Sequence, residues 1–522
     1  MRLSKLALTL CAVSFLGFNQ KTDSQTGRLK IEILDARSGA PAAARAYLVD
    51  ESGASFYPAD AIRYDKNAEH HFIVSGSAQL TLPGGRYTLR IERGPEFLPW
   101  TSPVAVAAGQ GQNVTARLQR WIDMNRLGWF SADLHNHRKP DEMPALLAAE
   151  DLNLAPTLAD WIWEDRPRST PPQTSNPIRQ VDPFHSYSVL DKEVERLERG
   201  PGAVDLLGLR APILFDGYRF YPPDDVYCTQ AHAQGGYVDA EKITWRDTAA
   251  LVALGHVDFA GIVHNHFNRN GVELETDRWG MIPKWRTEFN TPQGMPFWSM
   301  EVYYHFLNCG FRLPVSAGSA SGVKASPLGY NRVYVSLQEP FSYASWFASL
   351  KAGRSFGTNG PMLFFTVDGR QPGSTLKLDR KGRKVRVRAE SLSAGRLQQL
   401  DIVQDGKVIR TAAVESKKHT LEFDLPVQKS GWISARCFEV PDQTVRFAHS
   451  SPIYLDLGDP APAPEEDVRF FLDWMDREIE FYKQESGFRE PAHRAAMLSL
   501  FQRARAVFAG LRSEKRLNRK ER

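Results

Sequence analysis

The chain has 522 residues, of which 42% are apolar, 24% charged and 11% aromatic. At roughly 150 residues per domain that is chain for about three domains, and the apolar content excludes disordered, collagen-like and disulfide-scaffold classes. The formal charge is +4, and residues 512–522, with six basic and two acidic side chains, carry that whole surplus. The body is neutral, so nucleic-acid binding is not expected.

At the N-terminus, Arg2 and Lys5 precede an apolar run from Leu6 to Gly17, with no further charge before Lys21. This is the layout of a secretory signal, placed here over residues 1–22. The run falls short of the roughly 20 apolar residues that a membrane-spanning helix needs. No later stretch qualifies, so the expectation is a secreted or periplasmic protein without an integral membrane span. Removal of the signal leaves Cys228, Cys309 and Cys437. They allow at most one disulfide, and their wide spacing makes buried apolar residues the better reading.

Residues 27–122 alternate with period two in short runs, such as Leu29, Ile31 and Ile33, or Tyr87, Leu89 and Ile91. Such runs predict an N-terminal β-sandwich, and Leu82-Pro83-Gly84-Gly85-Arg86-Tyr87 reads as a hairpin turn within it. The segment is similar to the carboxypeptidase-regulatory-type sandwiches appended to exported enzymes.

From 125 to 370 the strand-like segments FSADLHNH, GAVDLLGL, DFAGIVHNHF and RLPVSAGSAS alternate with the helix-like PALLAAEDLNL, LDKEVERLERG and TWRDTAALVALG. That alternation predicts α/β architecture, a largely parallel sheet with helices outside, as a barrel or an open sheet. Strands return over 375–457, where Asp405-Gly406 turns Ile402-Val403 back into Val408-Ile409; a second sandwich is expected there. A Pro-Ala linker from Gly458 to Asp467 leads to two helices over 465–512, the first with Val468, Phe471, Leu472, Met475, Ile479 and Tyr482 on one stripe. They are expected to form a helical hairpin against the body.

Eight of the 13 histidines lie between 135 and 305. Ser131-Ala132-Asp133-Leu134-His135-Asn136-His137 ends an apolar strand, where residues two apart face the same way, ~6.6 Å from each other. Two neutral imidazoles so placed can converge on one divalent cation. In a parallel α/β unit, ligands bind at the carboxyl ends of strands. An isolated His-x-His is also common on a polar strand face. Here the pattern recurs, as His264-Asn265-His266 after Asp258-Phe259-Ala260-Gly261-Ile262-Val263, and the repetition favours metal.

His232 in HAQGG is a third candidate. Glu193 and Glu195 could supply a carboxylate, but in LDKEVERLERG they read more simply as an exposed helix face salted with Arg196 and Arg199. Asp133, Asp141 and Asp258 are the candidate proton-handling carboxylates, Asp141 by folding back onto the site. Glu150 and Asp151 could orient the imidazoles from a helix. His70, His71, His419, His449 and His493 are read as surface or structural.

The segments GWFSADLHNHRKPDEMPALLAAEDLN, HAQGGYVDAEK, GHVDFAGIVHNHF, LNCGFRLPVSAGSASGV, LGYNRVYV and RSFGTNGPM together resemble the carbaryl-hydrolase-like (CehA/McbA-type) metallohydrolases of the PHP superfamily, over about 125–365. The resemblance implies a multidomain protein with a distorted (β/α)7 PHP-type barrel, flanked by the two β-sandwiches and ending in the helical hairpin. It implies His135, His137, Glu193, His232, His264 and His266 as metal ligands. PHP sites close with Gly-Ser/Thr-Asp-x-His. Here Gly318-Ser319-Ala320-Ser321-Gly322 lacks both the acid and the imidazole, so one or two ions per chain, Zn²⁺ or Mn²⁺, are expected rather than three. The implied activity is hydrolysis of a carbamate, amide or ester, in a small molecule or a polymer-derived substrate. The alternatives are a PHP-type phosphoesterase, an amidohydrolase, or a catalytically degenerate exported protein that binds carbohydrate or a cell surface.

Overall fold

A computed structural model describes residues 26–66, 68–196, 198–274, 282–458 and 462–520, with side chains as far as 511. The expected signal over 1–22 lies outside the described residues. These form a multidomain, mostly β chain with seven α-helices among them.

The first eight strands, Thr26–Asp35 through Gly111–Leu118, make a three-stranded and a five-stranded sheet packed face to face. Leu29, Ile31 and Ile33 alternate inward and meet Leu48, Leu89 and Ile91 from the other sheet. The Leu82–Tyr87 turn differs from expectation. Ser77–Pro83 pairs with Thr26–Asp35, whereas Gly85–Glu92 pairs with Ala43–Asp50 and Trp100–Val106. The turn therefore carries the chain from one sheet to the other instead of closing a hairpin. Turn residues bend the backbone, but packing of the two sheets chooses the partners.

In the centre, Asp160–Trp163 runs parallel to Lys192–Arg196, and Tyr237–Ala240, Phe259–Val263 and Val315–Ala317 run parallel to one another. Gly202–Leu207 lies between these groups and is antiparallel to both neighbours, a departure from pure β/α alternation. The chain after the strand Trp129–Ala132 is bonded to the chain after Val315–Ala317. Leu134 N–H donates to the Ala317 carbonyl at 3.1 Å, Ala320 N–H to His135 at 2.7 Å, and His137 N–H to Ser321 at 2.8 Å. The carboxyl ends of these strands thus face one another.

The helix expected over LDKEVERLERG is instead the strand Lys192–Arg196, four of its five residues fully buried. Its charge spacing imitates a solvated helix face. Bonding on both edges, to Asp160–Trp163 and Gly202–Leu207, decides otherwise. The helices expected over PALLAAEDLNL and TWRDTAALVALG are present as Met143–Glu150 and Thr248–Ala253.

Strands 383–439 include the Asp405-Gly406 hairpin, joining Leu397–Gln404 to Lys407–Ala413. Phe447–Ser450 pairs with Ser355–Thr358, which pairs with Arg332–Ser336, which pairs with Trp129–Ala132. One sheet therefore runs unbroken from the central region into the C-terminal strands. Its apolar face carries Trp129, Tyr334, Phe356, Ile402 and Ile433, in one core with Val387 of a separate three-stranded sheet.

Helices Glu465–Gln484 and Pro491–Lys520 form the terminal hairpin. Phe471 stacks on Phe508 of the second helix at 4.7 Å and on Phe306 of the helix Met295–Asn308 at 4.3 Å. Cys228, Cys309 and Cys437 are buried free thiols. No helix among the described residues is long and apolar enough to cross a membrane.

Candidate metal centre

His135 and His137 leave the strand Trp129–Ala132 in extended register, so their rings point into the same space. Their Nε2 atoms lie 3.0 Å apart. Glu193 enters from Lys192–Arg196, with Oε1 3.5 Å from His135 Nε2 and Oε2 3.1 Å from His137 Nε2. One donor atom from each of the three side chains falls within 4.8 Å of the others. Glu193 is reached because the strand that carries it is central and its residue opposite, Asp205, is also inward.

The electrostatics suit a cation. Burial pushes the His137 imidazole down to about 3, so it is a neutral donor at physiological pH. Burial pushes Glu193 up to about 7, opposed by His135 and reinforced by Glu241. Burial, with Glu193 and Glu241 nearby, pushes Asp205 well above the carboxylate range. Glu193 Oε2, His135 Nδ1, His137 Nδ1 and both Asp205 oxygens are buried without a hydrogen-bond partner. Buried polar atoms are ordinarily paired. Two imidazoles and a carboxylate converging on one point are a donor set that could hold a metal ion. The residues therefore fit a metal ion.

His135 Nδ1 lies 3.3 Å from Asp205 Oδ2 and 3.4 Å from Glu241 Oε2. The Glu241 carboxylate beside that nitrogen favours the tautomer that leaves Nε2 free for a metal. Trp161 packs on the His137 ring at 4.7 Å and donates its indole N–H to Glu195 at 3.0 Å. Asp205, Glu241 and Trp161 were not singled out by the sequence reading. A signal existed: Asp205 is a lone acid inside the apolar GAVDLLGL, and Asp239 and Glu241 alternate at a strand end.

His264 and His266 occupy the carboxyl end of Phe259–Val263, at the same end of the strand set. They do not join the three-residue group. His264 Nε2 bonds the Ser299 hydroxyl at 3.1 Å, and burial pushes its ring down to about 3. Both rings are almost fully buried.

His232 and Asp258 are placed elsewhere. His232 ends the helix Asp225–Ala233, and its Nε2 pairs with Asp258 at 2.8 Å. Asp258 precedes the strand whose far end carries His264, about 20 Å away at the usual strand rise. Its carboxylate also accepts from Val238 N–H and from Lys351. This cluster ties strand starts together, and neither residue belongs to the metal group.

Asp133 is not a free proton carrier either. It accepts from Gly329 N–H at 2.7 Å, Ser319 N–H at 2.9 Å and His135 N–H at 3.2 Å, which makes it a backbone clamp. Asp141 is exposed before the helix Met143–Glu150, with no bond to the histidines among the described residues. Glu150 pairs with Arg45, and Asp151 accepts from Arg120 at 2.8 Å, so both bind the N-terminal sandwich rather than the imidazoles.

The Gly318–Gly322 stretch lies against the histidine strand. A Cβ on Gly318 would fall 2.3 Å from the His135 Cβ, and one on Gly322 2.9 Å from the His137 carbonyl carbon. Gly322 also has φ +104°, a conformation side chains rarely adopt. A histidine at 322 would not fit, and Ala320 offers no donor.

No family model matches the chain, and no curated protein matches it. Three solved structures share short stretches with it. The Bacillus anthracis TIE protein is 15% identical, with 21% of this chain and 19% of that one covered, at TM-score 0.15. A streptococcal ancillary pilin is 17% identical over 22% and 37% of the two chains, at TM-score 0.15. The CARDB domain of PF1109 from Pyrococcus furiosus is 13% identical over 19% and 96%, at TM-score 0.14. This chain spans under two fifths of the first two, and likenesses this slight carry no argument about the site.

Proposed function

We propose that the protein is an exported hydrolase that uses one divalent metal, Zn²⁺ or Mn²⁺, on a PHP-type barrel to cleave a carbamate, amide or ester bond. The observation that carries this reading is the convergence of His135, His137 and Glu193 on one point, with their lone pairs facing each other and Asp205 and Glu241 behind His135. A bound divalent ion there supplies Lewis acidity, polarising the scissile carbonyl or phosphoryl oxygen and acidifying a water. His135 and His137 bind as neutral donors, and Glu193 adds the charge that retains a cation. Glu241 keeps the His135 proton on Nδ1. Trp161, packed at a tilt against His137, restricts ring rotation and keeps water from that side.

The same donor set serves phosphoester hydrolysis. The absence of acid and imidazole at Ala320 and Gly322 favours a second reading, an exported protein that binds carbohydrate or a cell surface without turnover. Assays on aryl carbamates, aryl esters and bis-p-nitrophenyl phosphate, with Zn²⁺ or Mn²⁺ added, separate these. Turnover that disappears in H135A supports the hydrolase, and its bond class names the chemistry. Metal-loaded protein inactive on the whole panel supports the binding protein.

A further inference from the structure

The turn beside the metal-facing histidines is not held by the central sheet alone. Ala320 and Gly322 both have left-handed backbone, with φ +49° and +104°. Two such residues within three positions make a turn that persists only when its surroundings hold it. On one side it is bonded to the histidine segment: Ala320 N–H donates to the His135 carbonyl, and His137 N–H donates to the Ser321 carbonyl. On the other side it meets the N-terminal sandwich.

That contact is made by the strand Arg63–Lys66, at the edge of the five-stranded sheet. Gly322 N–H donates to the Tyr64 hydroxyl at 3.1 Å, and the same hydroxyl donates to the Lys324 carbonyl. The Lys66 ammonium donates to the Gly322 carbonyl at 2.8 Å. Both backbone polar groups of Gly322 are thus bonded to side chains of another domain. Tyr64 is itself fixed: it is buried, its ring stacks on His71 at 5.4 Å, and the Arg138 guanidinium lies 5.1 Å from the ring centre. Arg138 directly follows His137 and reaches the Arg63 carbonyl at 3.4 Å. The edge strand therefore grips both the residue next to His137 in sequence and the turn next to it in space. There is little slack between them. An added Cβ on Gly322 would lie 2.9 Å from the His137 carbonyl carbon and 3.1 Å from its Cβ, so a turn that moves carries His137 with it.

We propose that the N-terminal sandwich is a part of the metal centre: Tyr64 and Lys66 are positioning residues that clamp the 320–324 turn against His137 and so set the angle at which its imidazole meets the metal. This deepens the metal-centre reading above and rests on it. Groups outside the ligand shell that orient an imidazole change metal affinity by roughly 10–100-fold when they are removed.

The test is Co²⁺ binding by the full chain, read as affinity and as the visible absorption of the bound ion, which reports ligand geometry. Y64F keeps the ring and loses the hydroxyl. K66M loses the ammonium at an exposed position, and K66R keeps a donor there. L89A, in the core of the same sandwich on a strand not bonded to Arg63–Lys66, controls for lost stability. Circular dichroism checks folding. Y64F and K66M should bind Co²⁺ roughly tenfold more weakly, with a changed absorption band, while K66R and L89A behave as wild type. Folded Y64F and K66M with wild-type affinity and spectrum overturn the proposal, as does an L89A that weakens binding as much as they do. A wild type that binds no Co²⁺ defeats instead the metal-centre reading. The clamp is then read by hydrogen exchange: amides of 320–324 should exchange faster in Y64F, and equal rates overturn it.

Discussion

The Nε2 atoms of His135 and His137 face each other at 3.0 Å, and the Glu193 carboxylate stands across both. Without a cation, two imidazole nitrogens at this distance can share only one proton between them. Replacing both by alanine should abolish metal binding while the N-terminal sandwich and helical hairpin still fold. Elemental analysis with circular dichroism checks this; a folded double variant that keeps its metal defeats the ligand assignment.

Gly318 is held in place by contact, not by φ. A methyl there would fall 2.3 Å from the His135 Cβ and 2.9 Å from its nitrogen, so the histidine strand must shift. Overpacking of this kind costs about 1–3 kcal/mol. G318A is expected to melt earlier and also to bind metal more weakly, because the strand that moves carries both imidazoles. Unchanged metal affinity in a destabilised G318A would show that the shift is absorbed elsewhere.

His232 serves as a negative control. It pairs with Asp258 at the opposite strand ends, so H232A should leave metal content and any turnover unchanged and lose about 1 kcal/mol of stability with its hydrogen bond. A drop in bound metal in H232A would contradict this placement.

Two buried histidines outside the site set an acid limit on stability. Burial holds His71 down at about 4, with Glu69 pulling the other way, and holds His449 down at about 3. Unfolded, both would titrate near the ordinary value of 6.5, so the unfolded state binds the proton first. Their contribution is fully present above 6.5 and falls as pH drops through the window toward 3 to 4, by about 2 kcal/mol for each at pH 5. Denaturant midpoints at pH 7.5 and pH 5 should show the loss, and H449Q should flatten it; an unchanged slope would acquit His449.

Phe471 joins the terminal hairpin to the centre through Phe306 and Phe508 and is fully buried. F471A should cost about 3–5 kcal/mol. Limited proteolysis should then release the C-terminal helices first; release of an N-terminal fragment first would argue that the hairpin is not held this way.

Features set by local patterning were legible in the chain alone. His135 and His137 are two apart on one strand, so they face together whatever surrounds them, and the stripe from Val468 to Tyr482 has helical period by itself. The N-terminal sandwich announced itself through period-two alternation. The third ligand was different: Glu193 becomes one only because its segment is bonded on both edges as a strand, and the same letters read in isolation are a good helix face. His232 shows the converse: HAQGG by itself reads more simply as a loop histidine than as a third ligand, and the helix Asp225–Ala233 carries it to the opposite ends of the strands. Asp205 and Glu241 lie 70 and 106 positions from His135 in the sequence, and only strand order brings them to its Nδ1. Side-chain direction along one strand follows from backbone geometry. Which strands are neighbours follows from burial summed over the whole molecule, a quantity no short segment carries.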